Sequence, residues 1–434
     1  MKLFMQSLGC AKNQVDSEML LGVLKENITL VQEPEEAELL LLNTCAFIEP
    51  ARKEAIDTIF ELAEIKRSTR AKLVVCGCLP QRYKSEIQGL IPEVDRFISI
   101  DEYGRFGEII NQVIRSNYSF QMKMNPLNRI YSTPDYMRYV KISEGCMNRC
   151  AFCAIPLIRG NLKSRTIEDI TLEVENEVKS GVYEINLVAQ DTTKYGYDLY
   201  HKHALLDLLK SLTAIEGDFK IRLLYLYPEL VTDELIEFIK LQPKMMKYFD
   251  IPIQHSEDKL LKAMLRRSNK SMIVELFHKI KREIPSATLR TTLMVGFPYE
   301  EESDVDHMID FIQDIQFDHM GAFTFSLEEN TPACRYPNCI DEATKQKRYE
   351  RLMEVQSRIA YDLKQKKIGT ILHDAFVIGY DEESYMYVAR SEAFAPDEID
   401  GCIYVAAKQE LALGQRIDVR IVDADEYTLT GEQM

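Results

Sequence analysis

The feature that most constrains the fold is a rhythm: short apolar runs alternate with amphipathic stretches along most of the chain. Residues 1–116 contain KLFMQSL, ELLLLNT, AKLVVCG and RFISI, followed in turn by segments of helical spacing at 14–26, 50–66, 81–90 and 101–115. From residue 139 the pattern resumes with YVKIS, YEINLVA, KIRLLYL, YFDIPIQ, ATLRTTLMV and HMGAFTFS. Strands separated by helices pair in parallel, so each block implies a parallel sheet covered by helices. An α/β protein is expected, with a doubly wound parallel sheet first and an open (β/α)6 partial TIM barrel second.

Between the blocks, residues 117–138 hold Pro126, Pro134 and several Asn and Ser without sustained periodicity, which reads as a linker. Thr166 with Asp169 three residues on marks a helix start, and Gly181 its end. A long amphipathic helix, about 341–366, leads into DAFVIG, MYVARS, CIYVAA, RIDVRIVDA and YTLTGE, separated by turn residues. That ending reads as a small antiparallel β-barrel. The expected division is 1–125, a linker 126–138, 139–366 and 367–434.

A chain of 434 residues exceeds one ordinary core, and none of its apolar runs approaches the roughly 18 residues of a membrane span. MKLFMQSLGC has neither a basic region before a long apolar core nor a small-residue cleavage site, so a cytoplasmic protein is expected. Ten cysteines are too sparse for a disulfide framework, and clustered ones become metal or redox candidates. The net charge of −16 argues against a broad phosphate-binding surface.

EGCMNRCAFC places Cys146, Cys150 and Cys153 in a C-x3-C-x2-C spacing. No fourth Cys or His lies nearby, since His201 and His203 follow a separate strand. Three thiolates suit a cubic iron–sulfur cluster with one iron left open; a zinc site completed by a distant ligand is the alternative. The loop follows the first strand of the second block, which puts it at the C-terminal mouth of a barrel.

Cys10, Cys45 and Cys78 are far apart, yet each comes directly after an expected strand: SLGC, LLNTC, VCGC. Loops beyond the carboxyl ends of parallel strands converge, so these three can meet around one ligand. The alternative is three buried thiols packed as small hydrophobes. Cys76 would face the same side as Cys78 on an extended strand, and Cys78, beside Gly77 at the strand end, is preferred. Cys334, Cys339 and Cys402 read as ordinary thiols.

The cysteine loop, with Phe152 just before the third cysteine, resembles the radical S-adenosylmethionine superfamily. The resemblance implies a 4Fe–4S cluster on Cys146, Cys150 and Cys153 whose open iron binds S-adenosylmethionine. It makes TTLMVGFP, 291–298, look like the strand end that approaches the adenosyl group through Gly296, although a plain turn fits as well. Arg290, Gln190 and Asp191 would face the same mouth.

The whole chain resembles the methylthiotransferases, which replace a C–H hydrogen by a methylthio group. That implies a second 4Fe–4S cluster on Cys10, Cys45 and Cys78, a C-terminal domain of the TRAM type and a low-potential electron donor, flavodoxin or ferredoxin. SLGCAKNQVDSE, CAIPLIRGNLKSR, AQDTTKYG and LLYLYP resemble the branch that modifies the β-carbon of an aspartate in small-subunit ribosomal protein twelve. The other branch modifies adenosine in transfer RNA. Residues 370–434 hold 14 Asp and Glu against 4 Lys and Arg, which favours a basic protein partner over nucleic acid. An iron–sulfur electron carrier and a zinc-stabilised binding module are alternatives of another class; carriers close their clusters with four ligands, which argues against the first.

Overall fold

Leu39, Leu40, Leu41 and Leu42 are all fully buried, as expected of a central strand in a parallel sheet covered on both faces. In the computed structural model, which describes residues 1–434 except Met122, Asp397, Glu398 and the side chains of Lys84 and Ser85, that run lies in a five-stranded sheet. Its strands are β1 (Lys2–Ser7), β2 (Thr29–Leu30), β3 (Leu39–Thr44), β4 (Lys72–Gly77) and β5 (Arg96–Ser99), in the order β2-β1-β3-β4-β5, all parallel. Helices α1 (Ala11–Leu24) and α4 (Phe106–Ile114) pack on one face, α2 (Glu49–Thr69) and α3 (Cys78–Leu90) on the other. The sheet is doubly wound, as the alternation requires. The edge strand β2, only two residues long, is too short to leave a hydrophobic signature.

Residues 117–136 contain no helix or strand among those described. They are nonetheless pinned: the fully buried Arg129 guanidinium pairs with Glu18 of α1 and, at 2.9 Å, with Glu173 of the following domain.

Six parallel strands follow: β6 (Met137–Lys141), β7 (Glu184–Val188), β8 (Lys220–Leu223), β9 (Tyr248–Asp250), β10 (Thr288–Val295) and β11 (His319–Thr324). They form two three-stranded sheets joined by a parallel bridge between Ile221 and Met245, giving an open arc in chain order. The helix Ile167–Lys179 starts where expected, with Thr166 Oγ1 accepting from the Asp169 amide at 3.1 Å.

After the helix Glu342–Gln365, strands β12 (Ile371–Asp381), β13 (Met386–Arg390), β14 (Ile403–Ala406), β15 (Arg416–Ala424) and β16 (Leu429–Gln433) close into a barrel. The expectation of a purely antiparallel barrel needs one correction, because β14 and β16 pair in parallel. The reason is parity: a closed ring of five strands cannot alternate direction at every step, so one neighbouring pair must run the same way. This barrel docks on the bottom of the partial barrel, where buried Glu184 pairs with Arg390 and, at 3.1 Å, with Arg222. Among the described residues no helix is long and apolar enough to cross a membrane.

Candidate functional site

In a doubly wound sheet and in a (β/α) barrel alike, ligand sites form beyond the carboxyl ends of the strands. Here the two such ends face each other across a cavity of about 360 Å³. Cys10, Cys45 and Cys78 line it from one side; Cys146, Cys150 and Cys153 line it from the other. None of the other four cysteines reaches it.

Glycines set the N-terminal trio. Gly9 has φ +90°, and a Cβ there would lie 2.7 Å from the Cβ of Cys45; Gly77 has φ +100°, and its Cβ would lie 2.1 Å from Asn43 Oδ1. Only glycine allows such turns to pack together. They deliver Cys78 to the first position of α3 and Cys10 to the N-cap of α1, where free amides and the helix dipole favour a thiolate. Asn13 laces the three turns together: its Nδ2 donates to the carbonyls of Leu8 at 2.9 Å and Thr44 at 3.0 Å, and its Oδ1 accepts from Cys78 Sγ at 3.6 Å.

The expected shared face of Cys76 and Cys78 is not observed. The strand ends at Gly77, so Cys76 packs in the core with Tyr103 and Phe106 while Cys78 opens the helix toward the cavity.

The barrel trio is held by its own backbone. The amide of Asn148 donates to Cys146 Sγ at 3.5 Å, and that of Ile155 to Cys153 Sγ at 3.4 Å. Cys150 Sγ lies 3.6 Å from the Tyr227 hydroxyl.

The thiols differ in ease of ionisation. Burial pushes Cys146 up to about 11 and Cys78 to about 12, the latter despite Arg159. At Cys10, which is exposed to the cavity, burial is outweighed by the Lys12 ammonium, the amides of Asn13 and Lys12, and Arg159, so its pKa is lowered. Lys12 itself sits 3.7 Å above the Tyr225 ring.

Among the described residues, no three Cys, His, Asp or Glu side chains close on one point tightly enough for a single metal ion. A tetrahedral zinc ion draws its sulfurs to about 3.8 Å of one another, whereas a cubane spreads its ligands over separate corners. Three cysteines on each wall of one cavity, with amides donating to two of the barrel-side sulfurs, form a ligand set that suits a cluster. Room for an organic ligand is also present. Gln190 Oε1 and Gln254 Oε1 belong to residues lining the cavity, are buried and accept no hydrogen bond. Such acceptors match a ligand carrying amino and hydroxyl groups.

The other expected site residues divide. Phe152 lines the cavity and packs edge-on against Phe297, with centroids 6.5 Å apart. Gln190 lines it while its Nε2 donates to Glu144 at 3.0 Å. Arg290 borders the cavity, but its guanidinium is committed to Asp250 at 3.0 Å and to Asp400 of the C-terminal barrel at 3.1 Å. It therefore braces the wall. Asp191 does not line the cavity; it accepts from Asn148 Nδ2 at 2.7 Å and so orients the cysteine loop. Gly296 is also elsewhere: its Cβ would meet Lys345 Cγ at 2.3 Å, so the close approach that glycine permits there is to a helix, not to a ligand.

Sequence reasoning missed Lys12, Asn13, Arg159, Tyr227, Gln254 and Arg266, all on the cavity. Gln254 ends YFDIPIQ, and the rule that exposed Cys10 at a strand end would have found it. Arg159 and Arg266 lie away from strand ends and gave no such signal.

Residues 2–99 match the model of the uncharacterized protein family UPF0004, residues 140–312 the radical SAM superfamily and residues 369–434 the TRAM domain. Among solved structures, the radical S-adenosylmethionine methyltransferase TsrM from Kitasatospora setae superposes with a TM-score of 0.56 at 12% identity, over 85% of this chain and 78% of that one. That likeness concerns the fold alone. The chain is 43% identical to the ribosomal protein uS12 methylthiotransferase RimO of Clostridioides difficile (strain 630), covering 100% of this chain and 98% of that one. It is 42% identical to RimO of Caldicellulosiruptor saccharolyticus, covering 98% of each. Matches of this length and identity, on a chain whose two cysteine trios open onto one cavity, place it plainly: it belongs to the radical S-adenosylmethionine methylthiotransferases, in the RimO family.

Proposed function

We propose that the chain replaces a hydrogen on the β-carbon of an aspartate in small-subunit ribosomal protein uS12 by a methylthio group. The observation that carries this reading is the shared cavity, which lets a radical source and a sulfur source act on one carbon. Cys146, Cys150 and Cys153 would hold one 4Fe–4S cluster, with S-adenosylmethionine on its open iron, and Cys10, Cys45 and Cys78 the other. When bound, these groups supply a radical able to take an unactivated hydrogen, and a sulfur atom beside the carbon left behind.

The chain's own residues hold, orient and shield. Backbone amides of Asn148 and Ile155 donate to sulfur on the barrel side. Gln190 and Gln254 offer free acceptors for the polar groups of a bound nucleoside or amino acid. Phe152, Phe323 and Leu226 give the cavity an apolar wall that keeps water from a reactive intermediate. Holding the reacting groups in contact is the protein's main contribution to rate.

A basic ribosomal protein suits the acidic C-terminal barrel, with its 14 acidic against 4 basic residues. We assign reduction to a low-potential flavodoxin or ferredoxin and place the enzyme in the cytoplasm. The direct test reacts the reconstituted enzyme separately with ribosomes and with bulk transfer RNA. A methylthio mass shift on uS12 alone is expected; a shift on transfer RNA alone would refute the substrate. Zinc without iron after anaerobic purification would refute the clusters.

A further inference from the structure

One buried side chain touches both halves of the site. Arg159, six residues beyond Cys153, is 8% exposed. Its Nη2 donates to Cys78 Sγ at 3.3 Å and to Asn13 Oδ1. Its Nη1 donates to Asp16 Oδ2 at 2.6 Å and to Glu144 Oε2 at 3.1 Å. Asn13 and Asp16 belong to α1, whereas Glu144 lies two residues before Cys146 and also accepts from Lys141 Nζ at 2.8 Å and from Gln190 Nε2 at 3.0 Å. A single planar fork thus spans from a cysteine of the N-terminal trio to the loop that carries the barrel trio. Five donors in fixed geometry make this possible, and a lysine could not reproduce it.

The contact is also electrically uneven. Cys146 and Cys153 accept from neutral backbone amides, while Cys78 accepts from a full positive charge. Hydrogen bonds and positive charge at ligand sulfurs raise a cluster's reduction potential.

Building on the two-cluster reading above, we propose that Arg159 is a positioning residue with two effects. It fixes the cluster on Cys10, Cys45 and Cys78 in register with the barrel loop, and it raises that cluster's reduction potential. Losing the register would let cleavage of S-adenosylmethionine run on without sulfur insertion.

The test begins in a C146A/C150A/C153A background, where only the N-terminal trio can bind iron. There the potential of the remaining cluster is titrated by electron paramagnetic resonance with Arg159 intact, with Arg159→Lys, and with Arg159→Gln paired with Asp16→Asn. The paired change avoids leaving the buried Asp16 carboxylate without its arginine partner, a source of instability unrelated to the cluster. The potential should become more negative in the paired variant and recover in part with lysine, which keeps the charge. In the otherwise intact chain, deoxyadenosine formed per methylthiolated product should rise roughly ten- to a hundredfold for the paired variant. An unchanged potential or an unchanged ratio would overturn the inference. Absence of iron from the background protein with Arg159 intact would overturn the two-cluster reading itself, and the inference with it.

Discussion

The two cysteine trios reach the same cavity by opposite routes. The barrel trio is written locally, in one loop from Cys146 to Cys153, and two of its sulfurs accept hydrogen bonds from amides of the same stretch of chain. The N-terminal trio is assembled by topology, one cysteine from each of three βα turns, and is tuned by two cations, Lys12 beside Cys10 and Arg159 from beyond the barrel loop. A local motif carries its geometry with it, whereas a dispersed one depends on the packing of a whole domain. The barrel trio should therefore tolerate changes in the sheet, and the N-terminal trio should not.

The largest effect that separates them is expected from replacing Cys146, Cys150 and Cys153 by Ala together. All cleavage of S-adenosylmethionine should be lost, with about half the iron, if each trio binds one cubane. Iron analysis and deoxyadenosine assay check this, and full cleavage in the variant would break the comparison.

Glu184→Gln probes the end of the barrel remote from both trios. Burial alone would raise this carboxyl, but Arg390 and Arg222 lower its pKa from 4.5 to about 2. A folded value below the unfolded one means that the stabilisation is fully present above pH 4.5 and disappears as pH falls toward 2. The variant should lose roughly 3–5 kcal/mol at neutral pH, since it strands buried charge. Its stability should also vary less with pH in that acid range. Iron per folded chain should be unchanged, which denaturation curves and iron analysis measure together.

Gly77→Ala should cost about 2 kcal/mol by forcing an unfavourable φ, and more if Asn43 cannot give way. The iron it loses should come from the N-terminal trio alone, so deoxyadenosine formation persists. Loss of cleavage instead would mean that the trios are not independent.

The smallest effect belongs to Cys76→Ala, two positions from Cys78. A core thiol exchanged for a methyl should cost roughly 1 kcal/mol and no iron. Iron loss comparable with that of Cys78→Ala would reverse the assignment of the two.

What the sequence made legible follows the same contrast. Parallel sheets, both trios and the Thr166 cap were readable because periodicity, strand-end position and capping chemistry are local signals. Gly296 was misplaced, and the pairing of Arg290 on the cavity wall went unseen, because a glycine or a strand residue does not announce what it meets; Lys345 and Asp400 answer from 49 and 110 positions away. Arg159 escaped notice because its partners lie on α1 and before the cysteine loop, and only the folded chain brings them together. The parallel pair in the C-terminal barrel needed the strand count and closure, which turn spacing does not give.

The central claim is that the trios divide the reaction between them. A chain with Cys10, Cys45 and Cys78 replaced by Ala, supplied with S-adenosylmethionine, reductant and ribosomes, tests it most directly when deoxyadenosine and methylthiolated uS12 are measured in the same sample. The account predicts deoxyadenosine without any methylthio product. Methylthiolated uS12 from that variant would contradict it.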